Sequence, residues 1–323
     1  MNPAGRATVP HIPPPARPLL PLLFSVLVAL VAAPRGATAL PLQQDEASLE
    51  RCSRLRQAGS LDDLRREQQL LQAALPLRPS LSEVLTAAEA LLACAAPDAA
   101  LVALARVSPA PGEARQRWLT VRWRAAHAGL HHAEAAQSLR LLAGDDLASL
   151  EGLLLPVALA SADGRQAPQQ VALDLLADHF ESLQLGQQAA EVLLASRRPG
   201  AATAARWGRA AALAEALPLQ ERDAILERAL EQAAAAEAWG LVAALLDQQL
   251  AAGVSDAASR RALERRLRLG ERIDDAYGEW LQRRRQADAE SDPRLLLLEG
   301  QLRSPRDPGG HAAPLSPVPL SPP

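Results

Sequence analysis

The feature that most constrains this chain is a helical stripe that keeps restarting. Ser80-Leu81-Ser82-Glu83 reads as a capping box, and behind it Leu81, Val84, Leu85, Ala88, Leu91, Leu92 and Ala95 follow the i, i+3, i+4 rule of one helix face. The same period returns in Ala172, Leu175, Leu176, His179, Phe180 and Leu183, then in Ile225, Leu226, Ala229, Leu230 and Ala233, then in Ile273, Ala276, Tyr277, Trp280 and Leu281. Between the stripes stand helix breakers: Pro76, Pro79, Pro97, Pro109 to Gly112, Gly129, Gly144, Gly164, Gly186, Pro199-Gly200, Pro218, Gly253 and Gly270. Connections this short leave room only for antiparallel packing of neighbours. The expectation is an all-α body of about a dozen helices over residues 40–302, built from antiparallel hairpins.

Composition sharpens the packing. Alanine supplies about a fifth of the residues, against an aromatic content of 2%. Small residues let helix axes approach and stack in layers, whereas a single bundle of this size needs more aromatic filling. Stacked hairpins therefore fit better than one bundle, and the scarcity of strand formers excludes a sheet-centred fold. All 34 basic residues are arginine, set among 37 acids for a net charge of −3. Interspersed charge of that kind gives no footprint for nucleic acid.

The two ends read differently. Arg6 and Arg17 precede an uncharged apolar run, Leu19–Ala33, which is followed by Ala37-Thr38-Ala39. A basic start, an apolar stretch too short to span a bilayer and a small-x-small site make residues 1–39 a secretory signal cut between Ala39 and Leu40. The mature chain then carries 31 arginines against 37 acids and belongs in the periplasm or a comparable extracytoplasmic lumen. Such compartments oxidise thiols, so Cys52 and Cys94, the only cysteines, form either a disulfide or a packed pair of thiols. Residues 303–323 form a Pro-rich tail, too poor in apolar residues for a core.

Several pieces resemble the tetratricopeptide-repeat family or its degenerate α-solenoid relatives. Trp118, Val121, Ala125 and Gly129 look like a first repeat helix and its turn, and Ala135, Leu139 and Leu142 like the second; Gly186 with Ala190, and Gly270 with Ala276 and Trp280, look similar, followed by Asp292-Pro293 before Leu295 to Leu298. No strict sequence period runs through residues 45–302. The resemblance implies a TPR-like α-solenoid that binds protein or peptide on a concave surface, with no cofactor.

Catalytic chemistry finds little support. His127 and His131 have the i, i+4 spacing of a helical metal pair, but Gly129 breaks the helix between them, so His127, His131 and His132 read as solvated turn histidines. His179, on an apolar stripe, reads as a hydrogen-bonded core residue. Asp62-Asp63, Asp145-Asp146 and Asp274-Asp275 lack the further aspartate of a magnesium-pyrophosphate motif, and the first two pairs suit helix starts. No nucleophile elbow, P-loop or dinucleotide fingerprint is present. The strongest charge bias is nine arginines between 260 and 285. Glu264 with Arg268 and Glu279 with Arg283 stand at i, i+4, so surface pairing explains part of that bias. Of the nine, Arg265, Arg268, Arg272, Arg283, Arg284 and Arg285 are candidates for an acidic partner or an anionic membrane surface. The leading expectation is an exported, non-enzymatic scaffold for a protein or peptide; the alternative is an all-α enzyme or helical accessory domain of the cell envelope, like the superhelix of lytic transglycosylases.

Overall fold

The computed structural model describes residues 40–158, 167–252, 256–286 and 292–303. Residues 1–39, where the sequence reading places a signal, lie outside them, as do residues 304–323 of the Pro-rich 303–323 segment and the breakers Gly164 and Gly253. The helical body from Leu42 onward is one compact unit.

That unit is all-α, as the periodicity predicts. Its helices are α1 (Leu40–Gln57), α2 (Leu61–Ala74), α3 (Leu81–Ala93), α4 (Pro97–Leu104), α5 (Glu113–Ala128), α6 (His132–Ala143), α7 (Ala172–Ser182), α8 (Gly186–Leu194), α9 (Ala201–Leu213), α10 (Leu219–Ala235), α11 (Trp239–Ala252), α12 (Asp256–Arg272), α13 (Ala276–Arg284) and α14 (Pro293–Arg303). From α2 onward each helix packs on the next, and α3 with α5 and α9 with α11 also touch across one intervening helix. Contacts this local are those of stacked helical hairpins. The capping box at Ser80 and Glu83 is formed, with both of its reciprocal bonds present.

One turn is used six times. A residue in the left-handed region follows the helix end, and the next residue, already the N-cap of the following helix, donates its N–H to the carbonyl five positions back. The left-handed residues are Gly59, Ala95, Leu130, Gln184, Glu237 and Asp274. The bonds run Ser60 to Leu55, Ala96 to Leu91, His131 to Ala126, Leu185 to Phe180, Ala238 to Ala233 and Asp275 to Gly270, at 2.8–3.1 Å. This is the Schellman arrangement, which satisfies helix carbonyls that would otherwise be orphaned. Gly59, Ala95 and Leu130 follow at 36 and 35 residues, and Glu237 and Asp274 at 37. A period is therefore present. It escapes the sequence because five of the six positions carry side chains where glycine would be the readable signal.

Two departures break the period. Between α6 and α7 lie a 3-10 turn, Leu147–Gly152, and a two-stranded antiparallel ribbon, β1 (Leu154–Pro156) with β2 (Gln169–Val171), which nothing in the sequence patterning announces. An unpaired helix, α9, also stands between the α7–α8 and α10–α11 turns. Gly270 proves not to be a helix stop: it lies inside α12, and the stop falls at Ile273 to Asp275. A Cβ at Gly270 would sit 3.4 Å from the Glu279 Cβ, so this glycine serves the close approach of α13.

The core is layered. Val84, Leu91, Leu104 and Leu119 form one apolar cluster, Leu139, Leu173, Leu176 and Leu193 a second, and Leu226, Leu230, Leu245 and Leu246 a third. Two helices are shared walls. α5 gives Trp118, Leu119 and Ala125 to the first cluster and Trp123 and Ala126 to the second; α9 gives Ala210 and its C-cap residue Ala214 to the second and Ala204 and Ala211 to the third. A helix buried on two sides needs small residues, which explains the alanine content. At the near end, Cys52 on α1 and Cys94 at the end of α3 are joined in a fully buried disulfide, with Cα atoms 4.7 Å apart.

Candidate partner-binding groove

Helix α12 has two working faces. On one, Arg265, Arg268 and Arg272 are spaced i, i+3, i+7 and all three are exposed. They rim a groove of about 480 Å³ between α10, α11 and α12, whose floor is Leu230, Val242, Leu246 and Leu269. The opposite rim carries Glu227 and Glu231. Arg265 Nη1 donates to both Glu227 oxygens, at 2.8 and 2.9 Å, and Gln249 donates to the same carboxylate at 2.9 Å. Burial pushes the Glu227 carboxyl up, but Gln249 and the Arg265 and Arg261 charges outweigh it and hold the group below the usual carboxylate range. The Arg272 guanidinium lies 4.8 Å over the Trp239 ring, which fixes it beside the apolar floor. Arg268 donates through Nε to its own helix at the Glu264 carbonyl, 3.3 Å away, and among the described residues no carboxylate is paired with it.

The other face is structural. Arg266 is only 4% exposed and bridges Asp247 on α11 at 3.0 Å and Asp275 at the cap of α13 at 2.7 Å. A Cβ at Gly278 would collide with both Arg266 and Asp275, so this ion cluster requires glycine there.

The six candidate arginines thus separate. Arg265, Arg268 and Arg272 share the groove, while Arg283 is part-buried and committed to carboxylates elsewhere. It pairs with Glu279 at 2.8 Å, Asp292 at 3.2 Å and Glu271 at 3.6 Å. Glu279, 1% exposed, also takes Arg294 at 2.9 Å. Burial raises the Glu279 carboxyl, and the two arginines reverse that and lower it. The expected i, i+4 pairing of Glu279 with Arg283 is therefore formed, whereas Arg268 finds the Glu264 backbone rather than its carboxylate. Arg284 covers Trp280 at 4.8 Å, and Arg285 is exposed at the end of α13, so neither rims the groove.

His179 is the hydrogen-bonded core residue expected, but of the three turn histidines only His131 is exposed, paired with Asp98 of α4 at 2.6 Å. His127 and His132 are half-buried against His179: the Nδ1 atoms of His132 and His179 are 3.1 Å apart, and the His127 and His179 ring centres 5.4 Å. The sequence separates these residues by about fifty positions, with the ribbon between them, and no pattern links them. Asp62 and Asp63 sit in the first turn of α2, Asp146 caps the 3-10 turn and Asp275 caps α13, which accounts for the acid pairs structurally. A further buried cluster was invisible in the sequence. Arg206 donates to Asp174 at 2.7 and 2.9 Å and to Glu151 at 3.2 Å, and Glu151 also accepts from Ser196 and from the backbone of Arg197 and Arg198. It ties the 3-10 turn to α7 and α9.

Among the described residues, no group of three or more His, Cys, Asp or Glu is placed to hold a metal ion, and no helix is long and apolar enough to cross a membrane. In comparisons with known proteins the chain matches no family model, no curated protein and no solved structure.

Proposed function

We propose that this chain is an exported scaffold of degenerate tetratricopeptide-like repeats that captures a segment of a partner protein in the groove of α10, α11 and α12. The observation that carries the reading is the composition of that groove: an aliphatic floor beside three exposed arginines, of which one has no carboxylate partner among the described residues and another lies over a tryptophan. The occupant that fits is a short segment presenting one or two aliphatic side chains flanked by carboxylates. Its apolar part gains from leaving water, and its acids meet Arg268 and Arg272. The recurring turn at 35 to 37 residues supports the repeat assignment, since helix-turn-helix repeats of that family run to about 34 residues. Export rests on the basic, apolar and small-residue succession ahead of Leu40.

Peptide display against the full mature chain tests the groove. Selected peptides should combine Leu, Ile or Met with Asp or Glu, and should lose at least tenfold in affinity for the Arg268→Glu, Arg272→Glu double variant. Equal selection of basic-flanked peptides, or retained affinity in the double variant, would reject this site.

A further inference from the structure

His127, His132 and His179 come from three consecutive helices, α5, α6 and α7, and meet around Trp123. Their hydrogen bonds have a fixed polarity. The Trp123 indole can only donate, and its N–H points to His179 Nε2 at 3.4 Å, so that nitrogen must be a bare acceptor. The single proton of a neutral His179 then lies on Nδ1, where it donates across 3.1 Å to His132 Nδ1. His132 in turn must keep its own proton on Nε2. His127 stacks on Trp123 at 5.2 Å and stands edge-on to His179, with its Nδ1 buried and without a hydrogen-bond partner.

No proton can be added to the His179 pair without breaking a bond. A proton on His179 Nε2 faces the indole N–H. A proton on His132 Nδ1 faces the N–H of His179, and if His179 shifts its own proton to Nε2 in response, that again opposes Trp123. The surrounding charge offers little relief. His179 is 2% exposed, and burial first, then the His127 and His132 rings, hold it down to about 4. Facing His127 is Asp178 on α7, which favours its protonated form, as does the Val157 backbone, yet burial and His132 outweigh both and lower it. Asp178 is in any case committed to Arg209 of α9 at 2.5 Å. On α5 and α6, Arg122 and Glu134 face each other at 3.8 Å.

We propose that Trp123, His127, His132 and His179 form a proton-sensitive latch, which keeps the α5–α6 hairpin docked on α7 only while all three imidazoles are neutral. The sign follows from linkage. A histidine whose folded form resists protonation contributes fully above the ordinary histidine range near 6.5, and that contribution drains away as pH falls from there toward about 4. Acidification therefore opens this junction ahead of the disulfide-tied first hairpins.

Amide hydrogen exchange on the full mature chain, corrected for intrinsic rates, together with a ring-proton titration of His179, decides the matter. Between pH 7.5 and 5 the amides of α6 and α7 should lose at least tenfold in protection while those of α3 and α4 change less than threefold, and the His179 ring should stay neutral in the closed form. In His179→Gln the amide side chain can still accept from Trp123 and donate to His132 but cannot be protonated, so the acid-induced loss in α6 and α7 should be at least threefold smaller than in the wild type, the remainder belonging to His127 and His132. Unchanged wild-type protection at pH 5, or a His179 ring that titrates in the closed form between pH 6 and 7, would overturn the latch. Both are read on the wild-type chain, so the outcome stands even where the variant folds poorly.

Discussion

The helices from α5 to α9 and those from α12 to α14 are held by different physics. The first group closes over aliphatic side chains and alanines, with Leu139, Leu173, Leu176 and Leu193 each at most 1% exposed, and its buried charge is gathered into the single Arg206 cluster. The second group buries fewer apolar side chains and is fastened by carboxylates and guanidinium groups: Arg266 between Asp247 and Asp275, and Glu279 between Arg283 and Arg294. Aliphatic packing is non-directional and tolerates small adjustments, whereas a buried ion cluster stands only while every member is present. A stack of similar hairpins can thus be strong by area at one end and strict by geometry at the other.

The largest test of that contrast is Glu279→Ala. It leaves Arg283 with Asp292 and Glu271 alone and takes from Arg294 its carboxylate, and losing both sets of charge-assisted bonds at once costs roughly 3 kcal/mol or more. The loss should be local. Limited proteolysis is expected to release α14 first, and a variant whose α14 resists protease as the wild type does would show that the cluster is ornamental.

Next in size is Leu176→Ala in the aliphatic group. It removes a fully buried side chain from the middle cluster, at a cost of about 3 kcal/mol in transfer and cavity energy. Because α5 and α9 share their faces with the adjoining clusters, the damage should spread, so exchange protection should fall in α5 and α9 as well as in α6, α7 and α8. A loss confined to α7 would mean that the layers do not share their walls.

The contrast also explains what could be read in advance. Stripes such as Val84 to Leu92 and Leu175 to Phe180 are legible because one residue type at a fixed period has only one good solution, a buried helix face. The ion clusters are not. Arg206 meets Glu151 and Asp174 from 55 and 32 positions away, and nothing in the local sequence distinguishes it from a surface arginine. The recurring turn was hidden for a different reason, since Leu130, Gln184 and Glu237 accept a left-handed conformation that local preference would assign to glycine or asparagine. Of the candidate site, the arginine bias of α12 was visible, but not which arginines face the groove; that depends on the rotation of α12 against α10 and α11.

The smallest expected effects separate two arginines that look alike in the sequence. Arg283 is 20% exposed in its side chain and shares Glu279 with Arg294 while also reaching Asp292, so Arg283→Gln removes charge-assisted bonds worth roughly 1.5 to 3 kcal/mol. Arg268 reaches only a carbonyl of its own helix, and Arg268→Gln should change stability by no more than about 0.5 kcal/mol. The order reverses for binding. Arg268 rims the aliphatic floor and Arg283 does not, so acidic-flanked peptides selected on the wild type should bind Arg268→Gln more weakly and bind folded Arg283→Gln with unchanged affinity. Urea midpoints and peptide affinities measured on the same two variants give four numbers, and the proposed division of labour requires that they cross. If both variants lose stability and neither loses binding, α12 is a structural helix on both faces and the groove is not where the partner docks.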